Sequence, residues 1–140
     1  MEEERKEEEE EKTAEELLTV GEEYLGEGKY EEAIEVYKEI VKKEPRRPTL
    51  AKACNDCGAA YVSLEEYEMA LGFFNAALNL RDYLMDEGIS TCYNLGLLYR
   101  RMGDAEKAEE YFKRGDMLKQ EHKRRDEEAM RILSAEMEEG

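Results

Sequence analysis

The chain has 140 residues, a formal net charge of −16 and 41% charged residues. That balance favours solubility and argues against non-specific binding to nucleic acid or anionic lipid. No apolar run is long enough to cross a bilayer and none near the N-terminus has the form of a signal peptide. Three cysteines, an odd count, fit a reducing compartment, cytosolic or nuclear, rather than a disulfide framework.

In the stretch 1–12, residues 2–12 are almost all Glu, interrupted by Arg5, Lys6 and Lys12. A like-charge block of this kind reads as a solvating acidic arm, either disordered or frayed into the helix that begins at Thr13. That first helix carries Leu17, Val20, Gly21 and Tyr24 on one face. A corner at Gly28 leads to a second helix with Tyr30, Ala33, Ile34, Tyr37, Ile40 and Val41 inward, and Pro45 and Pro48 end it. The next pair runs from about residue 51 to 84, with Tyr67, Ala70, Leu71, Phe74, Ala77 and Leu78 as its buried stripe. A third pair, about 89–122, turns at Met102-Gly103-Asp104, where Asp104 is placed to cap the following helix.

The three pairs are copies of one unit. Gly21, Gly58 and Gly96 each have a Tyr three residues on, at Tyr24, Tyr61 and Tyr99. Apolar residues stand one and four places before each Gly: Val20 and Leu17, Cys57 and Cys54, Leu95 and Cys92. An Ala follows twelve residues after each, at Ala33, Ala70 and Ala108, and an aromatic four further on, at Tyr37, Phe74 and Phe112. Self-similarity at such a period is the signature of a helical repeat array.

This pattern resembles the tetratricopeptide repeat, in three copies over residues 14–122, jointly specific although each copy is degenerate. The resemblance implies an all-α fold of three helix hairpins in a right-handed superhelical array, with the first helices lining a concave groove. The chain departs from the family in its Gly-to-Gly steps of 37 and 38 residues, against a usual length of about 34. The extra residues fall at 45–49 and 81–89, so either the flanking helices run a turn longer there or the loops are wider. In the second copy Leu64-Glu65 replaces the corner glycine, and a distorted turn is expected.

Beyond residue 126, Met130, Leu133 and Met137 repeat the apolar spacing of a first helix, with Ser134 standing 38 residues after Gly96 in place of the glycine. The reading is a separate capping helix over 127–139 that covers the open end of the array. Its rival is one unbroken helix from Asp104 to about Met137, because no Gly or Pro interrupts 116–139.

Candidates for chemistry are few. Cys54-x-x-Cys57 has redox or half-zinc spacing, but both residues occupy apolar slots inside a helix rather than a helix N-terminus after a strand. Cys54, Cys57, Cys92 and His122 would formally make a zinc set, yet His122 lies a hairpin's length from Cys92. The single His has no Ser or Thr beside it, no glycine loop could cradle a phosphate, and six of the nine Tyr fall on packing positions. No catalysis, metal or cofactor is expected.

A binding function follows instead from the resemblance. The groove faces of the first helices carry Leu18 and Glu22, then Asn55, Asp56 and Val62, then Tyr93, Asn94, Leu97 and Arg101. Asn side chains suit a peptide main chain, and Leu18, Val62, Tyr93 and Leu97 would be apolar anchors; the plainer alternative is that all are exposed residues of amphipathic helices. Chaperone-binding relatives hold an acidic tail with Lys, Asn and Arg at positions where this chain has Leu18, Glu22, Asp56, Ser90 and Asn94, so that clamp is absent. The groove reads as acidic at the Glu22 end and basic at Arg100/Arg101. The expected function is a non-catalytic adaptor taking an extended peptide or partner helix of another protein. The alternative is a module that forms homodimers through its C-terminal helix.

Overall fold

A computed structural model describes residues 12–139, so the expected acidic arm lies almost wholly outside the described residues. Among the described residues six α-helices follow one another: α1 (Ala14–Gly26), α2 (Tyr30–Lys42), α3 (Arg47–Ser63), α4 (Tyr67–Asn79), α5 (Ile89–Arg101) and α6 (Ala105–Glu139), with one 3-10 turn at Arg81–Tyr83. No strand occurs among the described residues, and no helix there is long and apolar enough to cross a membrane.

Each hairpin is built on the same contact. A Cβ added to Gly21 would meet the Tyr37 ring at 2.8 Å, one on Gly58 the Phe74 ring at 2.7 Å, and one on Gly96 the Phe112 ring at 2.6 Å. The aromatic sixteen residues after each glycine therefore lies flat on bare backbone, and the two helices approach closely enough to bury Ala33, Ala70 and Ala108. Successive helices pack on one another along the chain, and the first helices also touch side by side, α1 on α3 and α3 on α5. The core is the resulting continuous layer, from Leu17, Ile34, Tyr37 and Ile40 through Cys57, Tyr61 and Phe74 to Leu95, Leu98 and Tyr99. Val41, at the edge of the expected stripe, is 39% exposed.

The three corners share one geometry. The amide of Lys29 donates to the Tyr24 carbonyl at 2.9 Å, that of Glu66 to Tyr61 at 3.0 Å, and that of Asp104 to Tyr99 at 2.9 Å. The left-handed residue that makes each turn is Gly28 (φ 75°), Glu65 (φ 60°) or Gly103 (φ 86°). The expected distortion at Leu64-Glu65 does not occur: Glu65 takes the glycine conformation and carries the strain of a Cβ there. Thr13 and Asp104 cap their helices by accepting from the amides of Glu16 and Lys107, each at 3.1 Å.

Both ways of placing the extra residues occur, one at each junction. Between the first two hairpins the helix lengthens: α3 starts at Arg47 and runs 17 residues. Pro48 therefore sits in the first turn of α3, where its missing N–H costs nothing, instead of ending α2. Between the second and third hairpins the loop widens, with the 3-10 turn and Glu87 and Gly88 both at positive φ (58° and 92°).

The separate capping helix is not formed. Residues 105–139 are one helix of 35 residues, about 50 Å long. Pairing of Tyr99 with Tyr111, Gly96 with Phe112 and Tyr93 with Gly115 makes α5 antiparallel to α6, and α5 runs out near the ion pair of Glu87 with Arg125. Beyond that point every residue from 126 to 139 is exposed. Without a Gly, a Pro or a neighbouring helix to force a bend, the helix continues straight past the array. Met130, Leu133 and Met137 lie within the same sector of about 60° as Ala108, Phe112 and Gly115, at 100° per residue. The face that packs on α5 thus runs on uncovered, with Met137 81% exposed.

Candidate partner-binding groove

The first helices are tied to each other by polar bonds. Lys52 of α3 pairs with Glu22 of α1 at 2.8 Å, and the Thr49 hydroxyl donates to Glu15 at 3.3 Å. The buried Thr91 hydroxyl of α5 donates to Asn55 Oδ1 on α3 at 2.9 Å. From the second helix of the first hairpin, Tyr37 donates to Asp56 at 3.4 Å.

These residues frame a groove of about 470 Å³. Leu18 of α1 forms one side; Pro48, Thr49, Lys52, Asn55 and Asp56 of α3 form the floor; Ser90 and Thr91 of α5 form the other side. The widened loop closes the end with Tyr83, Leu84, Met85 and Asp86. That loop is pinned. Arg47 Nη1 donates to the Tyr83 hydroxyl at 3.0 Å and lies over its ring. The Asp86 carboxylate accepts from the amides of Gly88 and Ser90 at 3.0 and 2.8 Å. Burial raises its carboxyl, but hydrogen bonds from the Ser90 hydroxyl and from these amides outweigh burial and hold it below the usual range. Pinning at both ends holds Met85 up, wholly exposed.

Asp56 is the unusual group. Burial pushes its carboxyl up to about 6, opposed by the positive charge of Lys52, reinforced by the negative charge of Glu22 and opposed by the Tyr37 hydrogen bond. Tyr37 is pushed up in turn, first by burial and then by the charge of Asp56. The three cysteines are buried and unpaired by disulfides; burial pushes the Cys57 thiol up to about 12 and raises Cys54 and Cys92. They are packing residues, and no cluster among the described residues has the make-up of a metal site.

Of the residues proposed from sequence, Leu18, Asn55 and Asp56 line this groove, and Glu22 joins them through Lys52. Asn55 is partly engaged already, because its acceptor holds Thr91. Tyr93 leans onto its own hairpin: its ring lies on Gly115 and Phe112, and its hydroxyl donates to Asp116. Val62 and Asn94 are half-buried, while Leu97 and Arg101 are exposed; none of the four lines the groove. Arg100 rests on the Phe112 ring, 4.9 Å from its centroid. The residues missed by sequence reasoning are Pro48, Thr49 and Thr91 on the helices and those of the loop, Tyr83–Asp86. The available signal was three apolar residues, Tyr83, Leu84 and Met85, inside an over-long inter-hairpin segment.

A tetratricopeptide repeat model matches residues 17–45 and 89–122, the first and third hairpins. The second hairpin has the same glycine–aromatic stack and the same corner bond, so the unmatched segment is a copy in geometry. The first and third hairpins are tetratricopeptide repeats. Among curated proteins none matches it significantly. Tetratricopeptide repeats generally mediate protein–protein interaction, and their first helices supply the groove walls described above.

Proposed function

We propose that this tetratricopeptide repeat chain is a non-catalytic adaptor that holds an extended segment or helix of another protein in the groove between α1, α3 and α5. The observation that supports the reading is the groove itself: three successive first helices and a pinned loop enclose one space, with apolar rims at Leu18, Leu84 and Met85 and polar groups on the floor. Small numbers of oriented polar groups in an otherwise apolar concavity are what a binding site needs. Val62, Leu97 and Arg101 extend the same helices toward the corners and would contact a longer ligand.

A photo-crosslinking residue in place of Met85 tests this. Proteins captured from position 85, absent when the crosslinker replaces the exposed Glu35 on the outer side of α2, and lost on adding Leu18→Glu, are the expected result. Identical capture from 85 and 35 overturns the groove reading.

A second reading rests on a different observation, the uncovered stripe Met130, Leu133 and Met137 on the projecting end of α6. Self-association through it predicts a dimer at micromolar concentration by light scattering. That dimer should become a monomer on Leu133→Glu/Met137→Glu. A monomeric wild-type chain overturns it.

A further inference from the structure

The groove's charges are unequal in how well they are satisfied. Glu22 holds Lys52, Glu15 accepts from Thr49, and Asp86 accepts from two backbone amides. Asp56 has one long bond, from Tyr37, and shares the charge of Lys52 with Glu22. It is also the carboxylate that burial has most clearly stripped of water. A desolvated carboxylate in this condition gains most from a cation brought to it, because the attraction acts in a low-dielectric setting and the cost of burial is already met by the fold. In the same groove, Leu84 and the fully exposed Met85 of the pinned loop offer apolar surface.

We propose that the groove recognises a cationic segment of its partner, seating an Arg or Lys side chain on Asp56 and the adjoining apolar side chain against Leu84 and Met85. The inference rests on the groove reading above and names its ligand class. The surrounding groups set the sign of every test. Glu22 from α1 and Asp86 from the loop add negative charge, Tyr37 from α2 donates to the carboxylate, and Ser90 and Thr91 from α5 are neutral. Lys52 is the one cation on the floor, so it competes with the ligand for Asp56. Removing Asp56 and removing Lys52 must therefore act in opposite directions, which a merely structural role for either would not produce.

The experiment uses the full chain and an array of nine-residue peptides in which one central position is varied between Leu neighbours, with fluorescence anisotropy on the best binders. Expected is at least a tenfold preference for Arg or Lys over Gln at the centre, lost in Asp56→Asn and increased in Lys52→Met, with helicity and melting checked for both. Binding of the Arg peptide should weaken about tenfold from pH 7.5 to 5 as Asp56 takes up its proton, and Asp56→Asn should not respond. Peptides that bind, are weakened by Leu84→Ala/Met85→Ala, and show no cation preference overturn the proposal and leave the groove reading intact. Peptides that bind without responding to any of these substitutions, or no binding by any peptide of the array, overturn both.

Discussion

Gly58→Ala is the sharpest test of how the hairpins are held together. Its Cβ would stand 2.7 Å from two carbons of the Phe74 ring, and that ring is fully buried with no open side to move into. With the ring unable to move, overpacking falls in the upper part of its range, about 2–3 kcal/mol, while replacing a mid-helix glycine by alanine returns about 1 kcal/mol through helix propensity and reduced freedom of the unfolded chain. The balance is a loss of about 1–2 kcal/mol, or roughly 3–8 °C in Tm for an array of this size. Gly72 provides the control. It lies inside α4 with nothing within 4 Å of an added Cβ, so Gly72→Ala has only the favourable terms and should gain about 0.5–1 kcal/mol. Urea unfolding followed by circular dichroism at the helix band reads both. Phe74→Leu in the Gly58→Ala background should recover part of the loss, because the two sites are in contact and their effects do not add. If Gly58→Ala is as stable as wild type, the stacked glycine–aromatic pair is not what sets the helix separation, and the argument for all three hairpins fails with it.

The corner of the second hairpin gives an opposite expectation. Glu65 occupies a left-handed conformation that glycine holds at the other two corners, so Glu65→Gly should stabilise by about 0.5–1 kcal/mol, and Gly103→Ala should destabilise by about the same in the same unfolding assay. Asp56 makes stability depend on pH. Its carboxyl is raised from 3.8 to about 6 in the fold, so the folded chain binds this proton more tightly than the unfolded one, and stability falls as pH rises between about 4 and 6. Asp56→Asn should therefore be about 1–3 kcal/mol more stable than wild type at pH 7.5 and equal to it near pH 4; a parallel offset at both values would refute the assignment. The thiols of Cys54, Cys57 and Cys92 are buried and pushed up, so a thiol reagent at pH 8 should label them only at the rate of unfolding, and fast labelling of any one would show that its segment opens locally.

The hairpins were legible in the sequence because their contacts are local and periodic. Gly at one position and an aromatic sixteen residues later form a pair that one helix, a fixed corner and a second helix must bring together. Two copies with glycine corners exposed the third, where Glu65 does the same work under strain. The capping helix was misread because its apolar spacing is real while the break before it is not. Met130, Leu133 and Met137 repeat the pattern of Leu17, Val20 and Tyr24. A helix bends back only where a residue permits it and a neighbour rewards it, and α6 has neither beyond Arg125.

The groove was harder to read, and the reason is physical. A polar residue on the outer face of a first helix has two possible partners, a ligand or the next first helix, and the sequence of one helix does not distinguish them. Asn55 and Asp56 are neighbours in the chain and were equivalent candidates. In the fold Asn55 gives its acceptor to Thr91, a residue 36 positions on whose burial makes that bond costly to lose. Asp56 faces the groove with its charge poorly compensated. Tyr93 falls away from the groove for the same kind of reason, since Gly115 leaves room on α6 for its ring and Asp116 takes its hydroxyl. The part of a repeat array that varies is thus decided by contacts between repeats, and in this chain the Asn55–Thr91 bond and the widened loop decide which polar groups the groove is left with.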